Sequence, residues 1–150
     1  MKMKNKIYCA IDTPEIETAK SLANEVAPVT GALKLGLEFF NSFGPDGIKA
    51  IIEAQPKTDI FVDLKYHDIP NTVAGAVRSI TSQVKPSYLN VHCLGGLDMM
   101  KAARDACPND VKLLGVTILT SHNAGSLFDI GLTGSPSENV VRLGMLAKEA

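Results

Sequence analysis

Four ionisable side chains in this sequence stand where they could do chemistry: Lys34, Asp63, Lys65 and Asp68. An apolar run, Ile60 to Val62, leads directly into Asp63 and Lys65. Residues two apart on a strand point the same way, so these two are expected to share a face, their Cα atoms roughly 7 Å apart. A carboxylate and an ammonium at that spacing can meet over a ligand. Asp68 lies beyond the strand, on the loop that feeds a helix opening at Pro70. Acidic and basic groups at the carboxyl end of a strand are where parallel α/β proteins keep their chemistry. The plainer alternative is a surface ion pair plus an acidic residue favoured by a helix dipole.

Lys34 sharpens the choice. It is embedded in Ala-Leu-Lys-Leu-Gly, on a strand whose neighbours are apolar, and a lysine there is costly unless paired. Asp63 on the neighbouring strand is the nearest candidate partner, which suggests a row Lys34–Asp63–Lys65 of alternating charge. Asp12 ends the first apolar run and either serves that same site or starts the next helix. Thr120 stands at a strand end, a weak signal by itself. His67, His92 and His122 also fall near strand ends and raise the question of a metal site. Two lysines in the same cleft would repel a divalent cation, so no metal is expected. Gly95-Gly96 could hold a phosphate or simply let the chain turn tightly.

The elements that must position these groups follow from the pattern of apolar residues. Ile7 to Ile11 reads as a first strand. Thr13 is expected to cap the following helix, with Pro14 at its first position and Ile16, Ala19, Leu22, Ala23 and Val26 as its buried stripe. Gly31 to Gly36 reads as a second strand, followed by Phe39, Phe40 and Phe43, a turn at Gly44 to Gly47, and a helix striped by Ile48, Ile51 and Ile52. The third strand is followed by a helix carrying Val73, Ala76, Val77, Ile80 and Val84. Ser87 to His92 is the fourth strand, with a helix after Gly95-Gly96 running to about Cys107. Val111 to Leu119 is the fifth, ending at Thr120-Ser121-His122. A loose segment around Phe128 precedes Ser135-Pro-Ser-Glu138, a capping box with Pro at the first helical position.

Five rounds of strand and helix, with connections too long for hairpins, predict parallel α/β architecture. No strand is followed by a glycine-rich dinucleotide or P-loop cradle. Polar residues instead close every strand: Asp12, Lys34, Asp63 and Lys65, His92, Thr120. An open sheet gathers its site at one switch point, whereas a barrel draws it from many strands, so the pattern favours a TIM (β/α)8 barrel. Such a barrel runs to about 250 residues, and 150 residues hold about five units. The expectation is a single domain, 1–150, that is the first part of a barrel.

Bulk properties narrow the function. A net charge of −1 argues against a nucleic-acid or membrane-surface binder. The basic start, Met1 to Lys6, precedes an apolar run too short for a signal peptide or membrane span. Cys9, Cys93 and Cys107 are odd in number and form no CxxC pair, which suggests thiols of a cytoplasmic protein.

Asp63-Leu-Lys65-Tyr-His-Asp68-Ile69-Pro70 followed by Thr72 resembles the D-x-K-x-x-D-I-P-x-T signature of the orotidine 5′-phosphate decarboxylase family. Ile11-Asp12, Leu33-Lys34-Leu-Gly36, Asn90-Val-His92 with Gly95-Gly96, and Val116-Thr-Ile-Leu-Thr120-Ser121 fit the same family in order. The resemblance implies a cofactor-free TIM barrel that makes UMP as a homodimer with shared sites. It implies Lys65 as the proton donor to C6, Asp63 against the substrate carboxylate, and Lys34 holding Asp63 and touching the ribose. Asp68 and Thr72 would enter the partner's site, Ile69 would belong to the binding set, Asp12 would bind a ribose hydroxyl and Thr120 the base. The family's phosphate-binding arginine has no match here, since Arg78, Arg104 and Arg142 all fall on expected helices. Magnesium-dependent sugar-phosphate decarboxylases of the same superfamily share D-x-K-x-x-D but carry an acidic residue where this chain has Lys34. A non-catalytic remnant of the barrel is the remaining alternative.

Overall fold

The computed structural model describes residues 6–150; the basic start through Asn5 lies outside the described residues. The order is β1 (Tyr8–Ala10), α1 (Ile16–Val26), β2 (Ala32–Leu35), α2 (Leu37–Ala54), β3 (Asp59–Tyr66), α3 (Pro70–Gln83) and β4 (Tyr88–His92). A single 3₁₀ turn, Cys93–Gly95, leads into α4 (Gly96–Ala106), then β5 (Lys112–Val116), α5 (Ala124–Asp129) and α6 (Pro136–Glu149). The strands form one sheet in the order β1-β2-β3-β4-β5. Parallel pairing runs Ala10 to Lys34 to Phe61, and Leu35 pairs with Val62.

The chain divides into two compact units. Among the described residues the first takes in 6–64, Ser79–Leu89 and Pro108–Lys112. Its register puts Tyr8, Lys34, Phe61 and Asp63 on one face and Leu33, Leu35, Ile60 and Val62 on the other. The second face is core: these four are at most 3% exposed. Burial of each such aliphatic side chain stabilises by roughly 1.5–3 kcal/mol. The first face is polar at its carboxyl end and aromatic at its amino end, where Tyr8 meets Phe61 and Tyr88 edge to face and Lys112 lies over the Tyr88 ring.

The second unit comprises Lys65–Arg78, Asn90–Cys107 and Leu113–Ala150. Met99, Met100, Ala103, Leu127 and Leu143 are its buried apolar residues from α4, α5 and α6. The capping box read at Ser135 is present, the Ser135 hydroxyl accepting from the Glu138 N–H while the Glu138 carboxylate accepts from the Ser135 N–H.

Five local expectations are corrected. Helix α1 starts at Ile16 with Glu15 as its cap residue, and Thr13 accepts only from the Glu15 N–H, ahead of the helix. Leu22 in its expected stripe is 37% exposed, so Ala19 and Ala23 carry the buried face. The segment around Phe128 is helical, because Asn123 and Ser126 cap each other's backbone N–H groups. Strand β5 ends at Val116, so Thr120 lies past the strand, in the turn closed by the His122 N–H to Leu119 carbonyl bond. The turn expected at Gly44 is a break inside α2, with Gly44 at φ 59° and Pro45 restarting the helix.

Candidate active site

In the first unit the site is a buried ion pair. Lys34 and Phe61 are in register, and Asp63 stands two residues further along β3 on the same face. The lysine stem spans that step, and its Nζ lies 3.1 Å from Asp63 Oδ2. The Asp63 side chain is 10% exposed and that of Lys34 25%, so the pairing expected from the cost of an embedded lysine is present. The ladder bond from the Ile11 N–H to the Lys34 carbonyl delivers Asp12 to the same place. A Cβ on Gly36 would stand 3.3 Å from Asp12 Oδ1 and 3.7 Å from Lys34 Nζ. The missing side chain at Gly36 therefore leaves room beside both charges.

Removing Lys34 takes an ion-pair partner from the buried Asp63. Lys34→Met is expected to lower unfolding free energy by about 2–3 kcal/mol, less than the ~3–5 kcal/mol for breaking a fully buried pair because Lys34 is partly solvated. The double variant Lys34→Met/Asp63→Leu should recover most of that loss, since apolar replacements of buried pairs are often neutral. Urea unfolding of the three proteins measures both effects. A double variant less stable than Lys34→Met would mean that the pair is chiefly structural.

In the second unit Lys65 departs from strand geometry. Its φ is 49°, and it is the one non-glycine with a positive φ among the described residues. A left-handed conformation costs an L-residue about 1–2 kcal/mol. The two-residue alternation used to place Lys65 beside Asp63 assumes extended backbone, so it stops at Leu64. The Asn90 side-chain oxygen accepts from the Lys65 N–H at 2.7 Å. Asn90 is 1% exposed. Its functional reach was not legible in advance; the available signal was a polar amide inside the apolar strand Tyr-Leu-Asn-Val-His.

The loop after β3 presents His67, Asp68 and Ile69, all exposed, ahead of Thr72 in the first turn of α3. Asp68 Oδ1 accepts from the Ile69 N–H at 2.6 Å. His67, Asp68, Ile69, Pro70, Leu94 and Gly95 line an open cavity of about 560 Å³. Gly95 is needed there, since a Cβ would stand 2.1 Å from Met99 and 3.3 Å from the His67 ring. A larger, mostly apolar cavity of about 1000 Å³ against α6 is lined by none of Asp12, Lys34, Asp63, Lys65, Asp68, Thr72 and Thr120. Thr120 is exposed.

His67 and His92 stack ring on ring with centroids 5.5 Å apart. His92 is 8% exposed, and its Nδ1 accepts from the Leu94 N–H at 3.3 Å, which only an unprotonated Nδ1 can do. Burial first, then the cationic neighbourhood of His67, His122 and Lys65, lowers its pKa from the ordinary 6.5. A histidine pKa lowered by folding means that the unfolded chain binds the proton more readily. Stability is therefore complete above pH 6.5 and falls as the pH drops below it. Unfolding midpoints measured from pH 7.5 to 5.5 should decline, and His92→Gln should flatten that decline; an unchanged slope would exclude His92 as its source. Burial also pushes the Tyr66 phenol up to about 12.

Among the described residues no group of three or more His, Cys, Asp or Glu side chains is placed to hold a metal ion. No helix among them is long and apolar enough to cross a membrane. Cys93 and Cys107 are buried, and Cys9 is half-buried.

The arrangement has relatives. The chain is 47% identical over 148 residues to the orotidine 5′-phosphate decarboxylase of Sphingopyxis alaskensis, covering 99% of this chain and 65% of that protein. It is 43% identical over 148 residues to the enzyme of the same name from Thermobifida fusca, covering 99% and 62%. The chain thus spans less than two thirds of the length of these curated relatives. A crystal structure of orotidine 5′-phosphate decarboxylase from Lactobacillus acidophilus superposes with a TM-score of 0.80 at 30% identity, over 97% of this chain and 67% of that one. The Methanocaldococcus jannaschii structure, in complex with the inhibitor BMP, gives 0.81 at 24% identity over 97% and 64%, a likeness of fold. The parallel sheet with alternating helices is therefore part of a TIM barrel of that type. A model of the orotidine 5′-phosphate decarboxylase / HUMPS family matches residues 5–150, and the chain belongs to that family.

Proposed function

We propose that this chain is the N-terminal portion of an orotidine 5′-phosphate decarboxylase barrel and carries the reacting centre for cofactor-free conversion of orotidine 5′-phosphate to UMP, the last step of de novo pyrimidine synthesis. The protein would act in the cytoplasm as a homodimer. The observation that carries the reading is the Lys34–Asp63 pair at 3.1 Å. It puts an ammonium where the magnesium-dependent branch needs an acidic ligand, and so favours decarboxylation without a metal.

In this reading the C6–carboxylate bond breaks, carbon dioxide leaves and its bonding electrons stay on C6. Lys65 gives a proton to C6 and is reprotonated from solvent. Its fixed ammonium stabilises the charge growing at C6, an effect that is strong in a preorganised site. Asp63 faces the substrate carboxylate, its own position set by Lys34, which also touches the ribose. Asp12 takes a ribose hydroxyl and Thr120 the base. Ile69 belongs to the binding set, while Asp68 and Thr72 enter the partner's site, where Asp68 completes a Lys-Asp-Lys-Asp row and Thr72 binds the ribose.

The test is turnover of orotidine 5′-phosphate by the purified protein under exhaustive chelation. UMP formation unaffected by chelator is expected. Loss of turnover, restored by magnesium, would move the protein to the sugar-phosphate decarboxylases. No turnover in either condition would favour a non-catalytic remnant.

A further inference from the structure

We propose that Asn90 is a positioning residue for Lys65, an inference that rests on Lys65 being the proton donor. The two residues lie 25 positions apart, on β4 and near the end of β3. The Asn90 side-chain oxygen takes the Lys65 N–H at 2.7 Å, which anchors the peptide plane between Leu64 and Lys65. From that plane, the rotation φ at Lys65 decides where its Cβ, and with it the long side chain, sets off. That rotation is held at 49°, a value an L-residue does not keep unless its surroundings impose it.

A lysine ammonium rides on four rotatable carbons, so its launching point must be fixed if the head is to meet one atom of a substrate. A buried amide inside an apolar strand is costly unless hydrogen-bonded. At 1% exposure, Asn90 meets that condition while spending its acceptor on the one strained lysine. A valine or leucine at this position would leave the Lys65 N–H without this acceptor. A side chain that reaches a neighbouring strand's N–H at the residue proposed to move the proton serves geometry.

The expected signature is a split between turnover and binding. Displacing a catalytic group by about 1 Å costs on the order of 100-fold in rate. Asn90→Ala should therefore lower kcat by about 30- to 100-fold, while KM and the UMP dissociation constant stay within about threefold. Asn90→Thr, which keeps a polar, strand-compatible side chain but whose hydroxyl falls short of the Lys65 N–H, should show the same split and covers the case in which Asn90→Ala does not fold. Asn90→Asp retains an oxygen at the original reach and should recover kcat to within about tenfold of wild type. A kcat within threefold of wild type in Asn90→Ala or Asn90→Thr, or turnover and UMP affinity falling together, would overturn the inference. Lys65→Ala measured alongside separates the two readings. Retained turnover in that variant overturns both, whereas an inactive Lys65→Ala beside a fully active Asn90→Thr overturns the positioning role alone.

Discussion

Lys65→Ala is expected to lower kcat/KM for orotidine 5′-phosphate by about 10³- to 10⁴-fold, the range for removing a positioned general acid. Two contributions vanish together: the proton for C6 and the positive charge that stabilises the departing electron pair before the proton moves. Lys34 cannot substitute, since its ammonium is engaged by Asp63 at 3.1 Å. The fold should persist, because Lys65 is only half-buried and stands outside the buried apolar core. Initial rates of UMP formation paired with urea unfolding measure both statements. Turnover within tenfold of wild type would remove Lys65 from the proton-transfer step.

Mixing two inactive proteins, Asp68→Ala and Lys65→Ala, is expected to restore about a quarter of wild-type activity. Asp68 sits on the exposed loop after β3, beside an Ile69 that is 66% exposed. Both are open to a neighbouring subunit, which supports the proposal that Asp68 completes a site on its partner. In a mixed dimer one site then carries both defects and the other neither. Random pairing makes about half the dimers mixed, each with one intact site, as expected for an isologous interface. A mixture that stays inactive despite demonstrated subunit exchange would show Asp68 acting within its own chain.

The element order and the parallel sheet were legible in the sequence because alternating apolar runs, Pro and Gly punctuation and the Ser135 capping box all act locally. The Lys34–Asp63 pair was legible for an energetic reason: a lysine between buried leucines demands a counter-charge, and β3 offered Asp63. The presentation of Lys65 was not. Its backbone is left-handed and its N–H is taken by an acceptor 25 residues away, and no local pattern encodes that bond. Thr120 shows the opposite failure. Val111 to Leu119 has the composition of a strand, yet pairing stops at Val116, because strand length follows the neighbouring strand's hydrogen bonds as well as its own propensity. Helix α5 escaped notice since its reciprocal cap, Asn123 with Ser126, lacks the glutamate that marked the helix after Ser135.

A crystal structure of the protein with UMP tests most directly whether Lys65 faces the reacting carbon of a bound pyrimidine nucleotide, as proposed. The expected result places Lys65 Nζ within about 3–3.5 Å of C6, the distance of a near-attack arrangement, with Asp12 and Lys34 at the ribose. UMP bound with C6 turned away from Lys65, or seated against α6 in the larger apolar cavity, would contradict it.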